Sequence, residues 1–297
     1  MLRLIKAEIY VLFKTRTFKV LCVIGLLLAM MLLGLTKLIS SEDFIKSSLK
    51  GMPPEQQEQQ IEALRSLGSG ESDTVVNPGS GLGFHIQAKD VFKPTAKEIF
   101  YSSFGAGAIE MLMAVLIGAM VAKEYSTGTI KNILAYGKRR EHYYISKLIA
   151  CTIGLAVILG VMVITATVGG TIIFGWGEAL SITQVFHLLA TFLGAVAVGM
   201  GIISVLMFIA TLVKSSGATI GIGIVLMAIL PTIISFLYGK FAWFDKIYES
   251  SLSYNWALTT NISATNGDIL KAALIGLITL LITSAVGIFL FKKQDIK

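Results

Sequence analysis

Six long apolar runs, separated by short polar connections and two larger polar segments, dominate this chain. They cover Phe18–Ile39, Phe104–Val121, Leu148–Phe174, Val185–Val213, Gly217–Tyr238 and Ile269–Phe291. Each is long enough to cross a hydrocarbon core of ~30 Å, which takes about 20 helical residues. The pattern predicts an all-α polytopic membrane protein with six transmembrane helices. Pro231 inside the fifth run predicts a kink, because proline removes a helical hydrogen bond. Gly217 with Gly221, Ala195 with Gly199, and Gly169-Gly170 offer small surfaces for close helix contact.

The segments between the runs have their own patterns. In residues 1–17, Leu2, Ile5, Ile9, Leu12 and Phe13 recur at helical spacing among Arg3, Lys6, Glu8, Lys14 and Arg16. This predicts an amphipathic helix in the membrane interface, with Lys6 and Lys14 reaching toward headgroups. Residues 40–103 form a polar segment of modest size. Pro53-Pro54 followed by Ile61, Leu64, Leu67 and Gly68 predicts a short helix there, and the stretch from Gly68 to Gly83 predicts a flexible loop. Thr95 and Glu98 have capping-box spacing, placing a helix start just before the second run. So little core is available in 40–103 that an enzyme domain is excluded from the reading. Residues 239–268 hold Phe241, Trp243, Phe244, Tyr248, Tyr254 and Trp256. They predict either short helices dipping into the outer leaflet or an ordinary interfacial aromatic belt.

Composition agrees with a membrane class. The chain is 55% hydrophobic and 14% charged, with mean hydropathy +0.77. Its net charge of +7 is a matter of topology. Fifteen of the 25 Lys and Arg residues fall in the N-terminal segment with the adjoining Lys19, the 122–147 loop, Lys214 and the 292–297 tail, which share one side under six spans. That side faces the cytoplasm by the positive-inside bias, so both termini are cytoplasmic and nucleic acid is not a partner. The first run follows a helical basic segment and has no small-residue cleavage site, so it reads as a retained span. Cys22 and Cys151 lack metal-ligand spacing and read as small apolar residues.

No phosphate-binding loop, zinc-protease or serine-hydrolase motif is present, and His85, His142 and His187 lie in separate segments. Uphill transport by this chain therefore needs energy from a separate chain. Glu110 is the one acid inside a predicted span. With Met113 it lies on a face of mostly small side chains, either lining a conduit or gate or serving as a neutralised packing residue. In the 122–147 loop, Glu124 lies just below the second run and Gly128 permits a sharp turn. Ile130, Ile133 and Leu134 then give the next turns an apolar face, predicting a short helix across the end of the bundle.

The pattern Glu124-x-x-x-Gly128-Thr129-x-Lys131, with Arg139 or Arg140 following and Lys147 opening the third span, resembles the ABC-2 type membrane subunits of ATP-driven exporters. The opening Leu4-x-Lys6-x-Glu8, the six spans and the ending Phe291-Lys-Lys-Gln-Asp295-Ile resemble them too. Within that family the chain looks most like bacterial peptide export and self-immunity permeases of the bacitracin, lantibiotic and phenol-soluble modulin systems. One departure is Gly137-Lys138, where the family often has proline or serine before its basic residue.

The resemblance implies a type V exporter-like architecture in a bacterial plasma membrane. It implies a second permease copy or paralogue, and a separate ATPase subunit that binds ATP and magnesium while this chain binds no cofactor. It implies a coupling helix from Glu124 to about Leu134. Glu124, Gly128, Thr129, Ile130, Lys131, Ile133, Leu134, Arg139 and Arg140 would then engage the ATPase, with the N-terminal helix beside them. The expected cargo is an amphipathic or antimicrobial peptide. The alternatives are efflux of sodium or a small drug by the same architecture, an ATPase-independent carrier, and a ligand-binding membrane scaffold.

Overall fold

The computed structural model describes residues 1–69, 83–85, 87–88, 90–105, 107–130, 139–179 and 181–294, and the regular structure among them is helical. Helix α1 (Leu2–Lys14) ends at the extended residue Thr15, and α2 (Arg16–Ile39) follows at once. Helix α3 (Glu42–Ser48) starts where the Ser41 side chain accepts from the Phe44 N–H. Helix α4 (Pro54–Ser69) opens on a proline, tolerated there because a first-turn N–H has no intrahelical partner. Helix α5 (Ala96–Ser102) begins with a complete capping box between Thr95 and Glu98. The flexible loop expected over residues 68–83 falls largely outside the described residues.

Helix α6 (Ala108–Ile117) continues through a π-helical turn (Gly118–Ala122) into α7 (Lys123–Ser126). Then come α8 (Arg140–Phe174), α9 (Ile182–Val213) and α10 (Ser216–Ile224), the last followed by a second π turn (Val225–Ile229) and α11 (Leu230–Ile234). Helices α12 (Ala242–Glu249), α13 (Leu252–Thr259) and α14 (Asn266–Lys293) complete the chain.

Among the described residues, five helical stretches are long and apolar enough to cross a membrane: Arg16–Ile39, Arg140–Phe174, Ile182–Val213, Ser216–Leu237 and Asn266–Lys293. The remaining expected span, 104–121, is interrupted. Gly105 and Gly107 adopt φ of +54° and +77°, left-handed values that end α5 and restart the chain in α6. A Cβ on Gly105 would also stand 2.8 Å from the Phe84 ring. From Ala108 to Ser126 the backbone is continuously helical, about 28 Å long at 1.5 Å per residue. The connection expected over 122–147 is shortened, because α8 already begins at Arg140. Pro231 lies just beyond the second π turn, whose wider hydrogen-bond ring accommodates a residue without an N–H.

The start of α1 and the end of α14 lie at one end of the bundle, where both reach the first turn of α8. There the Arg140 guanidinium donates to the carbonyls of Phe291, Lys292 and Gln294 at 2.9, 3.0 and 2.7 Å. The Gln294 amide donates to the Thr211 carbonyl at 3.1 Å. At the opposite end, called here the loop end, Ala96 N–H donates to the Gly175 carbonyl at 2.9 Å. The Gln87 side chain ties down Thr260 and Ile262.

Helices α9 and α14 approach most closely through glycine. A Cβ on Gly276 would lie 2.6 Å from the Ala197 carbonyl oxygen, and one on Gly201 would lie 2.9 Å from that of Gly276. Leu155, Ile158, Leu159 and Met162 of α8 are fully enclosed. The outer surface is apolar, with Ile172, Leu281 and Ile164 well exposed, as a bilayer requires. Gly217 and Gly221 meet no atom within 4 Å, so their face of α10 is open rather than packed. The aromatic segment divides in two. Trp243 and Phe241 point outward, whereas Tyr248 and Trp256 are buried, the latter against Phe104 at 6.5 Å between ring centres.

Candidate functional site

Three elements converge on one buried lysine at the termini end. Helix α1 presents Leu4, Glu8 and Leu12 four residues apart on its inner face against α8, and Glu8 and Leu12 are buried. Helix α7 supplies Glu124, and α8 supplies Tyr143 and Lys147, one helical turn apart. Lys147 is fully buried. Its Nζ lies 2.6 Å from Glu8 Oε2 and 2.6 Å from Glu124 Oε1. Both are short charge-assisted contacts of one ammonium group, and the one with Glu124 has the better hydrogen-bond alignment. The Tyr143 hydroxyl donates to the other oxygen of Glu124. The ammonium also sits 5.7 Å from the centre of the Tyr143 ring.

The charges in this cluster do not balance, since one cation serves two carboxylates. Burial raises the Glu8 pKa above its ordinary value, Lys147 opposes that rise, and the charge of Glu124 adds to it. The cluster thus ties the N-terminal helix, the foot of the second helical stretch and the start of α8 into one electrostatic unit. An aromatic layer supports it: Phe291 is fully buried and packs on Tyr125 and Tyr143 at 5.9 and 5.8 Å.

The chain leaves this cluster through a defined turn. Ser126 and Thr127 hydroxyls both donate back to the Lys123 carbonyl at 2.9 Å, ending α7. Gly128 follows at φ +72°. Thr129 is exposed and shares a 2.9 Å hydrogen bond with Thr127. Ile130 is only 1% exposed and turns into the bundle, so it does not extend an outward apolar face. Lys131, Ile133 and Leu134 lie outside the described residues. Arg139 points outward, whereas Arg140 is held by the C-terminal carbonyls described above. Lys6 and Lys14 are exposed on the outer side of α1.

Glu110 and Met113 lie elsewhere, buried at 3% and 0% exposure in the first turns of α6. The Glu110 side chain sits in the first turn of its helix, and its Oε2 is buried with no hydrogen-bond partner. In the sequence Lys147 stands out only as a loop cation that opens the third span, and Tyr143 does not stand out at all. Two signals were available. Glu8 is an acid on the stripe Leu4–Glu8–Leu12, and Tyr143, Lys147 and Cys151 share one face of α8, all buried.

No curated protein matches this chain. A family model described as ABC-2 family transporter protein matches residues 2–296. Coverage of nearly the whole chain, together with the long apolar helices, makes this an integral membrane protein of transport. The chain belongs to the ABC-2 family of transporter proteins.

Proposed function

We propose that this chain is the membrane-spanning subunit of an ATP-driven exporter of amphipathic peptides and that the Glu8–Lys147–Glu124 cluster carries force from a separate ATPase into the bundle. The ABC-2 family supplies membrane transport subunits that work with an ATPase partner. The observation that carries the reading is Lys147, whose two ion pairs join the N-terminal helix and the Glu124 turn to α8. A push on that turn cannot leave Glu124 behind without exposing an unpaired buried charge, so α1, α7 and the base of α8 move together. The exposed surface around Thr129 and Arg139 then meets the ATPase, with Ile130 anchoring the turn from inside. Both termini face the cytoplasm, and the opposing loop end faces outward. A peptide cargo is favoured over an ion because the bundle interior offers few polar groups to replace a hydration shell.

The test uses the complex with its co-purifying ATPase in lipid. Glu124→Gln keeps an acceptor for Tyr143 and removes the charge opposite Lys147. Cargo-stimulated ATP turnover should fall about tenfold or more while the complex stays assembled, a loss of ~1.4 kcal/mol in coupling. Undiminished stimulation in Glu124→Gln would refute a transmitting role for the cluster.

A further inference from the structure

At the loop end, far in the fold from the lysine cluster, a cavity of about 780 Å³ opens between the first turns of α9 and α14. Its size is that of a small-molecule site. Its walls are graded along the bundle axis. Deeper in, it is lined by Ala190, Leu193, Ile269, Leu270 and Ala273, while Lys97, Gln184, His187 and Asn266 form the rim. The mouth opens sideways. Phe186, Leu193 and Leu270 line it yet remain 67%, 57% and 62% exposed, on the outer faces of helices that cross the membrane.

The rim has donors to spare. Trp176 lines the cavity, and its Nε1–H is buried with no acceptor, an arrangement that costs free energy until something supplies one. Lys97 Nζ contacts Glu178 at 3.4 Å, which leaves ammonium protons unused. His187 is not among these donors, because its Nδ1 donates to Asn266 Oδ1 at 2.9 Å, which leaves Nε2 of the neutral ring as an acceptor.

We infer that this cavity binds one phospholipid from the leaflet bordering the loop end, its acyl chain along Leu193, Leu270 and Ala273 and its phosphodiester and ester oxygens at Trp176 and Lys97. A lateral mouth at hydrocarbon level admits an acyl chain without crossing water. Oxygens that only accept match the two spare donors of the rim, Trp176 Nε1 and Lys97 Nζ. The order of surfaces, polar at the membrane boundary and apolar below, is that of a lipid standing in its own leaflet. Glu178 beside Lys97 keeps the rim near neutrality, so the donors act mainly as hydrogen-bonding groups.

Native mass spectrometry of the full chain in mild detergent, titrated with palmitoyl-oleoyl phosphatidylglycerol, tests the site. One lipid per chain should survive activation that strips loosely held lipid. Ala273→Trp, which fills the cavity from a half-buried position on α14, should weaken retention at least about tenfold. Trp176→Phe, which removes only the donor, should weaken it ~3–10-fold. Inorganic phosphate at millimolar concentration should not displace the lipid. Retention unchanged in Trp176→Phe would overturn the inference even if Ala273→Trp failed to fold. So would displacement by inorganic phosphate, which marks an anion site only, or a change of assembly state in Ala273→Trp, which marks a surface covered by a second copy.

Discussion

Lys147 is the residue on which the fold and the proposed mechanism both depend. Replacing it with Met preserves the bulk of the side chain and leaves buried Glu8 and half-buried Glu124 with no counter-charge. Removing one partner of a buried ion pair costs about 3–5 kcal/mol, so Lys147→Met should lower the unfolding temperature steeply in a detergent melt. Glu8→Gln should be far milder, because Lys147 keeps Glu124 and the imbalance of charge disappears. The pH dependence follows from the same imbalance. The folded-state pKa of Glu8 lies above its ordinary value of 4.5, so the native state holds this proton more tightly than the unfolded chain. The corresponding stabilisation is fully present below pH 4.5 and is lost as pH rises through the raised value. Wild type should therefore gain stability relative to Glu8→Gln as pH falls from neutrality toward 4.5. Parallel melting curves across that window would show that Lys147 holds Glu8 ionised throughout.

At the scale of elements, the α9–α14 contact is the tightest helix pairing and the most sensitive to a single methyl group. A Cβ on Gly276 would face backbone atoms of Ala197 and Val198 at 2.6 to 2.9 Å, and backbone cannot step aside as a flexible side chain does. Gly276→Ala should separate the two helices and reduce the yield of folded protein by gel filtration, whereas Gly34→Ala, with open space around it, should not. Neither outcome could have been read from the sequence, where both glycines simply interrupt an apolar run. The long helices were legible because a 20-residue apolar run has few other solutions. The Thr95–Glu98 cap was legible because its chemistry is local. The break at Gly105 and Gly107 was not, since an apolar run records hydrophobicity and not φ. The lysine cluster was least legible, because Glu8 and Lys147 are brought together only by packing of α1 on α8. Glu124 and Gly128 stood out in the sequence by their place below the second run, but the pairing of Glu124 with Lys147 and the left-handed φ of Gly128 are visible only in the fold.

Considered as a whole, the molecule joins its two ends through α8. Lys147 sits in the second turn of that helix, and Gly170 near its other end packs on Ile99 of α5 at 3.1 Å from an added Cβ. A 35-residue helix is about 52 Å long and stiff, so a tilt imposed at its base is delivered at the loop end. Such a tilt opens a path only against another surface, and among the described residues the outer side of α10 is a candidate for it. The inner side of α10 is fully used: Ser216 donates to the Gly118 carbonyl at 2.8 Å, and Gly223 seats Leu206 and Ala114. Its outer side carries Gly217 and Gly221 with nothing within 4 Å, beside exposed Ile222 and Val225. Lipid packs poorly on a glycine step, while a second helix packs closely on it. Pairing of two permease subunits through α10 predicts that Gly221→Cys, in a Cys22→Ser background, forms an intermolecular disulfide in the assembled transporter. Ile164→Cys, equally exposed to the bilayer on α8, should stay monomeric on the same gel. Cross-linking at both positions would indicate random collision, and cross-linking at Ile164→Cys alone would move the pairing surface to α8.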